Sequence, residues 1–368
     1  MQKTFQCRAS YEQIADCLKE IGSKMFMLVC GKNSFDALNI QSFLDSECPD
    51  YIRFSDFSSN PKYEQVCKGI EKFNSGNCDT IVAIGGGSAM DIAKCIKLFC
   101  KMKTDENFLN QEFSDTGVPL IAVPTTAGTG SESTRYAVIY YNGEKQSITH
   151  NSIVPNYAIL DASLLKTLPL YQKKCAMLDA LCQGVESWWS VNSTDESKDY
   201  SKVAVETIMQ NWRQYIFKDD REAAELIMIG SNYAGRAINI TQTTAAHAMS
   251  YKITSLYNFP HGYAVGVCLP AVWEIMLTSM DKCVDSRGSA YLNGIFYQIA
   301  DAMEVTSPPE AIELFREMMR EMELLPSIVG HKEDLSVLSS SVNPIRLKNN
   351  PIGLNDDSIR RIYGNILL

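Results

Sequence analysis

Residues 80–94 read Thr-Ile-Val-Ala-Ile-Gly-Gly-Gly-Ser-Ala-Met-Asp-Ile-Ala-Lys, and this stretch decides the fold class. The run at 80–84 predicts a buried strand, and the apolar positions from 88 to 99 recur at helical spacing. The three glycines between them let the backbone lie close against a ligand. The free amide groups at the following helix start favour an anion such as a pyrophosphate. The motif is not the GxGxxG of the common dinucleotide fold, so a flexible turn without a ligand is the alternative to a phosphate-binding turn.

The sequence on either side of this turn continues the alternation of strand and helix. Apolar runs predict further strands at residues 25–30, 51–57, 120–123, 136–141 and 157–160, and helical spacing predicts helices at 33–47 and 62–73. This βαβα order predicts a mostly parallel sheet covered by helices.

Beyond residue 165, helical patterns dominate and strand signals largely vanish. Helices are expected at residues 172–190, 198–215, 221–238, 264–279 and 309–323. The fourth contains Pro270 and is expected to be kinked or broken there. We therefore predict an α/β dinucleotide-binding domain over residues 1–165 and an all-helical domain over residues 166–368.

The composition indicates an ordinary globular protein. The chain has 368 residues, 45% hydrophobic and 21% charged, with a net charge of −9. An acidic balance without a basic tract argues against nucleic acid as a partner. Neither a signal peptide nor a membrane span is evident, and the twelve scattered cysteines, without a CxxC pair, favour reduced thiols. We therefore expect a cytoplasmic protein that does not bind a membrane.

A second loop, dense in hydroxyl groups and glycine, follows the strand at 120–123. Residues 124–132 read Pro-Thr-Thr-Ala-Gly-Thr-Gly-Ser-Glu. Such a loop can offer several hydroxyl donors to ribose, phosphate or amide groups. It follows the carboxyl end of a strand, which is where open α/β sheets bind ligands.

Four side chains of the helical part form a candidate metal site. Asp179 and Gln183 are four residues apart and share a helix face, and His247 and His261 are two of only four histidines. A carboxylate, an amide oxygen and two imidazoles can bind one divalent ion. A satisfied core histidine is the commoner explanation for either His.

Together these motifs resemble those of the iron-containing (group III) alcohol dehydrogenases, an architecture similar to that of dehydroquinate synthase. The glycine signature is similar to residues 83–94, the second cofactor loop to residues 123–132, and the metal motifs to residues 178–186, His247 and residues 259–262. The resemblance implies an NAD(P)H-dependent alcohol dehydrogenase that acts as an aldehyde reductase. It also implies an N-terminal dinucleotide-binding domain, a C-terminal helical domain and a site in the cleft between them.

The resemblance assigns roles to individual residues. The implied cofactor-binding positions are Gly86, Gly87 and Ser88 at the pyrophosphate, Thr125, Thr126 and Thr129 towards the nicotinamide, Lys145 near the ribose, and Asp91. The implied metal ligands are Asp179, His247 and His261, with Gln183 where the family usually has histidine. An amide oxygen is a weaker ligand than imidazole for Fe²⁺ or Zn²⁺, so the ion is expected to bind loosely, to differ in identity or to be absent.

The loop after the strand at 25–30 bears on the choice of cofactor. Relatives that prefer NAD often carry an aspartate there, whereas this chain has Gly31 followed by Lys32 and Asn33. A small neutral residue beside a cation accommodates a 2′-phosphate. We therefore expect NADPH, with NADH as the alternative.

The substrate expectation comes from residues 179–183, 245–254 and 342–351, which resemble the phosphonoacetaldehyde reductases within the family. A phosphonate dianion needs cationic partners, and the candidates are Arg135, Lys252, Arg346 and Lys348, each of which is otherwise an ordinary surface charge. Tyr251 stands where many relatives carry a histidine, and it either donates a proton or packs. Without a metal, Tyr251 or Lys252 would have to stabilise the oxyanion.

Three alternatives stay open at this point. The first is a short-chain aliphatic alcohol or diol dehydrogenase of the same family. The second is a lyase or synthase related to dehydroquinate synthase, against which the loop at 124–132 argues. The third is a cofactor-binding protein that has lost catalysis, motivated by Gln183. The resemblance suggests a homodimer.

Overall fold

The computed structural model describes residues 2–331 and 333–368, and the chain divides into two compact units. The first unit comprises Met1–Leu168 and the second Pro169–Leu368. The sequence placed the boundary after residue 165, so the observed division falls slightly later along the chain. Each unit has its own buried apolar core.

The N-terminal unit is built on a parallel sheet. Its strands are β1 (Lys3–Gln6), β2 (Met25–Cys30), β3 (Asp50–Phe54), β4 (Thr80–Gly85), β5 (Leu120–Pro124), β6 (Tyr136–Tyr141), β7 (Glu144–Thr149) and β8 (Tyr157–Leu160). Six strands form the sheet in the order β1-β8-β5-β4-β2-β3, and β6 pairs with β7 as an antiparallel hairpin. The predicted α/β class is confirmed. The sequence missed β1 and β7, because both are mostly polar.

Apolar side chains fill both faces of this sheet. Met27 and Val29 lie in the core on one face, and Phe26 and Leu28 lie in the core on the other. Since successive side chains of a strand alternate between faces, a sheet buried on both sides has apolar residues at every position. The covering helices are α1 (Ser10–Ile21), α2 (Lys32–Asp36), α3 (Gln41–Glu47), α4 (Tyr63–Ser75) and α5 (Gly87–Phe99).

The single helix expected at 33–47 is wrong, because the chain forms the two short helices α2 and α3 there. Asn39, between them, has a φ of 56°. This left-handed conformation ends a helix, and asparagine tolerates it better than most residues. The apolar spacing continued across the break because Phe35, Ile40 and Leu44 all face the same core.

The carboxyl ends of β2, β4 and β5 lie side by side at one edge of the sheet. Cys30 pairs with Ile84, and Gly85 pairs with Pro124. The chain continues from β2 to β3 on one side and from β4 to β5 on the other, so its direction of travel reverses between β2 and β4. Open α/β sheets bind ligands outside the strand ends at such a reversal.

The C-terminal unit is helical, and its described residues form no strand. Its helices are α6 (Leu170–Trp189), α7 (Asp195–Phe217), α8 (Arg221–Thr241), α9 (Ala245–Tyr257), α10 (His261–Leu277), α11 (Ser289–Ala302), α12 (Pro308–Glu321), α13 (Asp334–Ser340) and α14 (Asp356–Ile366). The predicted all-helical class is confirmed. No helix of either unit, within the part of the chain that the structure describes, has both the length and the apolar character to cross a membrane.

Helix α10 runs through Pro270 as one element, so the break considered there does not occur. Its residues are buried almost throughout, and it packs against α6, α9, α12 and α14. Contacts on several sides stabilise a helix despite the backbone hydrogen bond that a proline removes.

Candidate active site

The two loops expected to hold a dinucleotide pack against each other at the edge of the sheet. A Cβ atom added to Gly86 would lie 3.2 Å from Thr126 Cγ2, and one added to Gly87 would lie 3.0 Å from Thr129 Cγ2. The two glycines therefore let the loops touch closely, because a larger residue at either position would press on a threonine side chain. Helix α5 begins at the same place, and the backbone N–H groups of a helix start suit the pyrophosphate of a dinucleotide.

Asp91 and Lys94 on α5 belong to a buried polar network that ties this helix to the second loop. The Lys94 ammonium donates to Ser131 Oγ at 3.0 Å, to Thr134 Oγ1 at 3.0 Å and to the Tyr136 carbonyl oxygen at 2.8 Å. Ser131 Oγ in turn donates to Asp91 Oδ1 at 3.5 Å. Burial raises the pKa of Asp91 to about 6 and lowers the pKa of Lys94 to about 8. Contact between Asp91 and the cofactor stays a prediction.

Two other predicted cofactor residues lie on elements around α5. The positive charge of Lys145 on β7 offsets part of the rise in the Asp91 pKa, which places its ammonium group near that carboxyl. Ser88 Oγ donates to the carbonyl oxygen of Ser59. Their roles at the ribose and the pyrophosphate stay predictions.

Arg53, at the end of β3, is a cation that the sequence analysis did not single out. Its Nη2 donates to the carbonyl oxygen of Lys32 at 2.8 Å and to that of Gly31 at 3.4 Å. Its Nη1 donates to Asp36 Oδ1 at 2.7 Å. The guanidinium therefore lies beside the loop expected to choose between NADH and NADPH. Only the pairing of β2 with β3 brings it there, so spacing along the sequence could not reveal it.

Three of the four predicted metal ligands converge in the C-terminal unit. Ligand atoms of Asp179 on α6, His247 on α9 and His261 at the start of α10 all lie within 4.8 Å of one another. His247 Nε2 is 3.3 Å and His261 Nε2 4.0 Å from Asp179 Oδ1. Two imidazole nitrogens around one carboxylate oxygen match the donor set of a divalent transition metal.

Gln183, the fourth predicted ligand, has a carbonyl oxygen that fits this site. The side chain is buried one turn beyond Asp179, and a hydrogen bond from it helps to lower the pKa of that carboxyl. Its Oε1 is buried and finds no hydrogen-bond partner among residues 2–331 and 333–368. A buried amide oxygen without a partner is costly, and a bound cation would satisfy it.

Gly262 explains how the start of α10 approaches α6 so closely. A Cβ atom at this position would lie 2.8 Å from Asp179 Cβ and 3.0 Å from the Asp179 backbone nitrogen. Because glycine has no Cβ, the first turn of α10 contacts the α6 backbone, and His261 lies beside Asp179. The glycine of the Pro-His-Gly sequence is therefore explained by the close packing of α10 against α6.

Glu186 is the functional candidate that the sequence analysis quoted in a motif but left without a role. Its carboxylate is completely buried, contacts His247 Nδ1 and accepts hydrogen bonds from the first turn of α9. It lies on α6 seven residues after Asp179, and positions i, i+4 and i+7 share one helix face. An acidic residue at that spacing among apolar neighbours was the signal available in the sequence.

The carboxylates favour positive charge at this cluster. Burial opposes protonation of His247, but the carboxylates of Glu186 and Asp179 outweigh it and raise the pKa of His247 to about 9. Burial likewise opposes ionisation of Asp179, but the hydrogen bond from His247 and the charge of His261 lower its pKa below the usual range. Without a metal, a proton therefore supplies the cation that the site favours.

Tyr251 and Arg346 lie next to this cluster, and the contact between them could not be predicted from the sequence. The ring of Tyr251 stacks on that of His261, with centroids 5.7 Å apart and an interplanar angle of 3°. The Arg346 guanidinium lies over the ring of Tyr251, 4.9 Å from its centroid, and Arg346 Nη1 donates to Tyr251 Oη at 3.2 Å. A half-buried cation therefore lies one ring away from His261, a predicted metal ligand.

Hydrogen bonds made by Asn349 fix the segment 343–350, which contains Arg346, in this position. Asn349 Nδ2 donates to Gln242 Oε1 at 2.9 Å, Asn192 Nδ2 donates to Asn349 Oδ1 at 2.9 Å, and Val191 N donates to the Asn349 carbonyl oxygen at 3.1 Å. The segment is a 3₁₀ turn, Pro344–Asn349, bound to the end of α6 and to the turn before α9. The sequence could not place it near the metal cluster.

The other predicted substrate cations lie in different surroundings. Lys252 is half-buried next to Tyr251 on α9, and Lys348 is exposed in the segment 343–350. Arg135 belongs to the N-terminal unit, where its Nε donates to Tyr136 Oη at 3.2 Å and its Nη1 to Asn151 Oδ1 at 3.3 Å. Contact of these three residues with a substrate stays a prediction.

Comparison with known proteins identifies the family. Residues 2–162 match the model "Iron-containing alcohol dehydrogenase", and residues 174–367 match the model "Fe-containing alcohol dehydrogenase family, C-terminal". The chain therefore belongs to the iron-containing alcohol dehydrogenase family. The expected enzyme class, an oxidoreductase acting on CH–OH groups, is confirmed.

Individual relatives cover different shares of the chain. A phosphonoacetaldehyde reductase of Streptomyces viridochromogenes is 31% identical over 300 residues, which are 78% of this chain and 75% of that protein. The probable alcohol dehydrogenase EutG of Escherichia coli is 33% identical over 222 residues, 58% of this chain and 55% of that protein. The matched region thus spans little more than half of EutG.

The same fold occurs in a solved sulfoacetaldehyde reductase from Bifidobacterium kashiwanohense, crystallised with NAD⁺. The TM-score is 0.90 at 24% identity, with 99% of this chain and 96% of that chain covered. The likeness confirms the arrangement of a parallel α/β unit followed by a helical unit.

Proposed function

We propose that this protein is an NADPH-dependent reductase of a small anionic aldehyde, with phosphonoacetaldehyde as the first candidate and 2-hydroxyethylphosphonate as its product. The observation that carries the proposal is the stack of Arg346, Tyr251 and His261. It holds a guanidinium beside the metal ligands, and guanidinium is the side chain best suited to a tetrahedral oxyanion.

Two relatives support the substrate class. One is named for phosphonoacetaldehyde and the other for sulfoacetaldehyde. Both aldehydes carry a tetrahedral oxyanion group near the carbonyl. A cation a short distance from the carbonyl site can bind the phosphonate of one aldehyde or the sulfonate of the other. The class of anionic aldehyde is therefore better supported than the choice of phosphonoacetaldehyde within it.

The metal part of the proposal uses Asp179, Gln183, His247 and His261 as ligands. A divalent ion held there supplies a Lewis acid that polarises the carbonyl oxygen. The four side chains offer two oxygens and two nitrogens. The buried Gln183 Oε1, which has no hydrogen-bond partner among the described residues, would gain one in a bound cation.

The cofactor part uses the N-terminal unit. NADPH supplies the hydride, while the protein sets position and electrostatics. The glycine turn and the first turn of α5 would bind the pyrophosphate. Gly31 leaves room for the 2′-phosphate, and the cations of Lys32 and Arg53 lie at the same loop.

Tyr251 is the proposed proton donor to the alkoxide. Burial raises the pKa of its hydroxyl above the usual range, against an opposing effect of the Arg346 charge. The hydroxyl therefore stays protonated at neutral pH. Its oxygen accepts from Arg346 Nη1, which orients the group while it donates.

The test compares phosphonoacetaldehyde with propionaldehyde in NADPH oxidation, using Fe²⁺-loaded protein and the variants Arg346→Met and Arg361→Met. Arg361 is an exposed arginine on α14 and serves as the matched control. A charge-assisted hydrogen bond contributes about 1.5–3 kcal/mol, so R346M should lower kcat/KM for the phosphonate roughly 10- to 100-fold. Propionaldehyde turnover should fall much less than phosphonate turnover in R346M, because only the orientation of Tyr251 is lost, and it should be unchanged in R361M.

The outcomes separate the alternatives. Equal or better turnover of propionaldehyde by the unmodified protein would assign a neutral short-chain alcohol or diol dehydrogenase. A phosphonate preference that survives chelation would keep the substrate and remove the metal. Tight NADPH binding without turnover of any aldehyde would indicate a binding protein that has lost catalysis.

A further inference from the structure

We infer that Glu186 is a positioning residue of the metal site, which selects the ring tautomer of His247 and fixes the start of α9. The inference rests on the metal-binding part of the proposed function. It assigns to one carboxylate both the orientation and the proton state of a ligand.

One oxygen of the Glu186 carboxylate anchors the helix that carries His247. Its Oε1 accepts from Thr244 N at 3.1 Å, Thr244 Oγ1 at 2.7 Å, Ala246 N at 3.0 Å and His247 N at 3.3 Å. The first N–H groups of a helix lack partners within the helix, and a negative charge is favourable there. The start of α9 is thereby bound to α6, the helix of Asp179 and Gln183.

The other oxygen contacts the imidazole itself. Glu186 Oε2 lies against His247 Nδ1, and on the far side of the ring Nε2 is 3.3 Å from Asp179 Oδ1. A carboxylate without a proton can only accept, so Nδ1 carries the hydrogen. When the ring is neutral, the lone pair on Nε2 then points at the carboxylate of Asp179.

This arrangement needs a cation between His247 Nε2 and Asp179. A lone pair and a carboxylate oxygen repel each other unless a proton or a metal lies there. Ligating histidines commonly donate their second N–H to a carboxylate, which fixes the tautomer and makes the ligating nitrogen more basic. Glu186 therefore has two roles, because one oxygen caps the start of α9, where the Thr244 side chain makes no capping hydrogen bond, and the other contacts the ring of His247.

The variant Glu186→Gln separates the two roles. The amide oxygen of glutamine can still accept from Thr244, Ala246 and His247, so the start of α9 keeps its partner. The amide nitrogen, however, can only donate to Nδ1, which moves the ring hydrogen to Nε2 and blocks the ligand. Loss of such a partner weakens metal binding roughly 10- to 100-fold, and we expect that rise in the Kd for Zn²⁺.

Thr244→Val is the matched control. It removes the 2.7 Å hydrogen bond to Glu186 Oε1 and the 2.9 Å bond that Thr244 Oγ1 accepts from Trp189 Nε1, and it leaves the contact of Oε2 with His247 Nδ1 intact. We expect T244V to lower the free energy of unfolding by about 1–3 kcal/mol, with an unchanged Kd for Zn²⁺. An effect of E186Q that came only from loosened packing would appear in T244V as well.

The tautomer itself is measured by ¹⁵N NMR of the histidine rings in the Zn²⁺-bound protein, where only four histidines contribute signals. The expected spectrum assigns the hydrogen of His247 to Nδ1 in the unmodified chain, which can be examined even if E186Q does not fold. A hydrogen on Nε2, or an E186Q variant with unchanged Kd, overturns the inference alone. No Zn²⁺ binding by the unmodified chain overturns the metal site with it.

Discussion

At the scale of single residues, Gln183 is the position where this chain departs from its family and where the structure gives that departure a physical meaning. The amide group reaches the Asp179 carboxyl, while Oε1 stays buried without a partner among the described residues. A carbonyl oxygen in this place forms a weaker bond to Fe²⁺ or Zn²⁺ than an imidazole nitrogen. The proposed metal site thus has two imidazoles and a carboxylate close together, with a weaker fourth donor at Gln183.

Gln183→His should tighten metal binding because it supplies the stronger donor at the same helix face. We expect the Kd for Zn²⁺ to fall by about tenfold or more, which corresponds to about 1.4 kcal/mol or more. Gln183→Leu, which removes the oxygen but keeps a buried side chain, should raise the Kd. Both are measured by competition with a chromogenic chelator. If Q183L binds Zn²⁺ as tightly as the unmodified chain, Gln183 is not a ligand.

Gly31 is the second residue with a direct prediction, which concerns the cofactor. Gly31→Asp places a carboxylate where a 2′-phosphate is expected, and repulsion between like charges there costs several kcal/mol. We expect kcat/KM for NADPH to fall at least tenfold while that for NADH holds, since 1.4 kcal/mol is about tenfold. The measurement is the ratio of the two values.

Gly31→Ala is the control for G31D, since both variants add a Cβ near Ser34 Oγ. The alanine variant should keep the ratio of the unmodified chain. If both variants shift the ratio equally, the cause is the shape of the loop and the charge argument fails.

At the scale of elements, the proposed metal site depends on how closely α6, α9 and α10 approach one another. Gly262 lets the first turn of α10 contact the α6 backbone, and Glu186 binds the start of α9 to α6. The two histidines therefore lie at helix starts that are held by specific contacts, while Asp179 and Gln183 lie in the middle of α6. The positions of the ligands follow from these contacts more than from the helices themselves.

Gly262→Ala should separate α10 from α6. The added Cβ would clash with the Cys175 carbonyl oxygen and lie 2.8 Å from Asp179 Cβ, and these contacts force the backbone to move. Overpacking costs about 1–3 kcal/mol, and we expect a loss of that size in the free energy of unfolding, together with weaker Zn²⁺ binding because His261 moves away. Gly364→Ala, on α14 with open space around its Cβ, should be neutral or stabilising. Unchanged Zn²⁺ binding by G262A would contradict this account of the site.

The sequence predicted most elements that have strong periodic patterns, although it missed the amphipathic helix α14, and it could not predict contacts between distant parts of the chain. The β4 run and the glycine turn predicted the parallel sheet, because strands buried on both faces are apolar throughout. Helix α9 was missed, because its small residues give no clear apolar stripe. Asp179 and Gln183 could be paired from helical spacing. Glu186 shares that helix face, but its contact with His247 could not be predicted. The places of Arg53 and Arg346 could not be predicted either, since contacts between parts far apart in sequence bring them to the site.

At the scale of the whole molecule, the two units divide the chemistry between them. The glycine and threonine loops lie in Met1–Leu168, and the metal cluster with Tyr251 and Arg346 lies in Pro169–Leu368. Each unit has its own core, so a ligand held by one unit should stabilise that unit first. This gives a test of the division that is independent of turnover.

Hydrogen exchange should show that the two ligands protect different segments. Zn²⁺ at 100 times its Kd stabilises the state that binds it by about 2.7 kcal/mol, so exchange in α6, α9 and the start of α10 should slow by up to about 100-fold. NADPH should protect the turn between β4 and α5 and the loop after β5. The readout is mass spectrometry of peptides from chelator-treated protein with each ligand alone. Protection of the β4–α5 turn by Zn²⁺ alone, without protection of α6, would contradict the assignment of the metal to the C-terminal unit. Protection of α6 and α9 would instead fit ligation by Asp179 and His247, since both side chains must be held still to bind one ion.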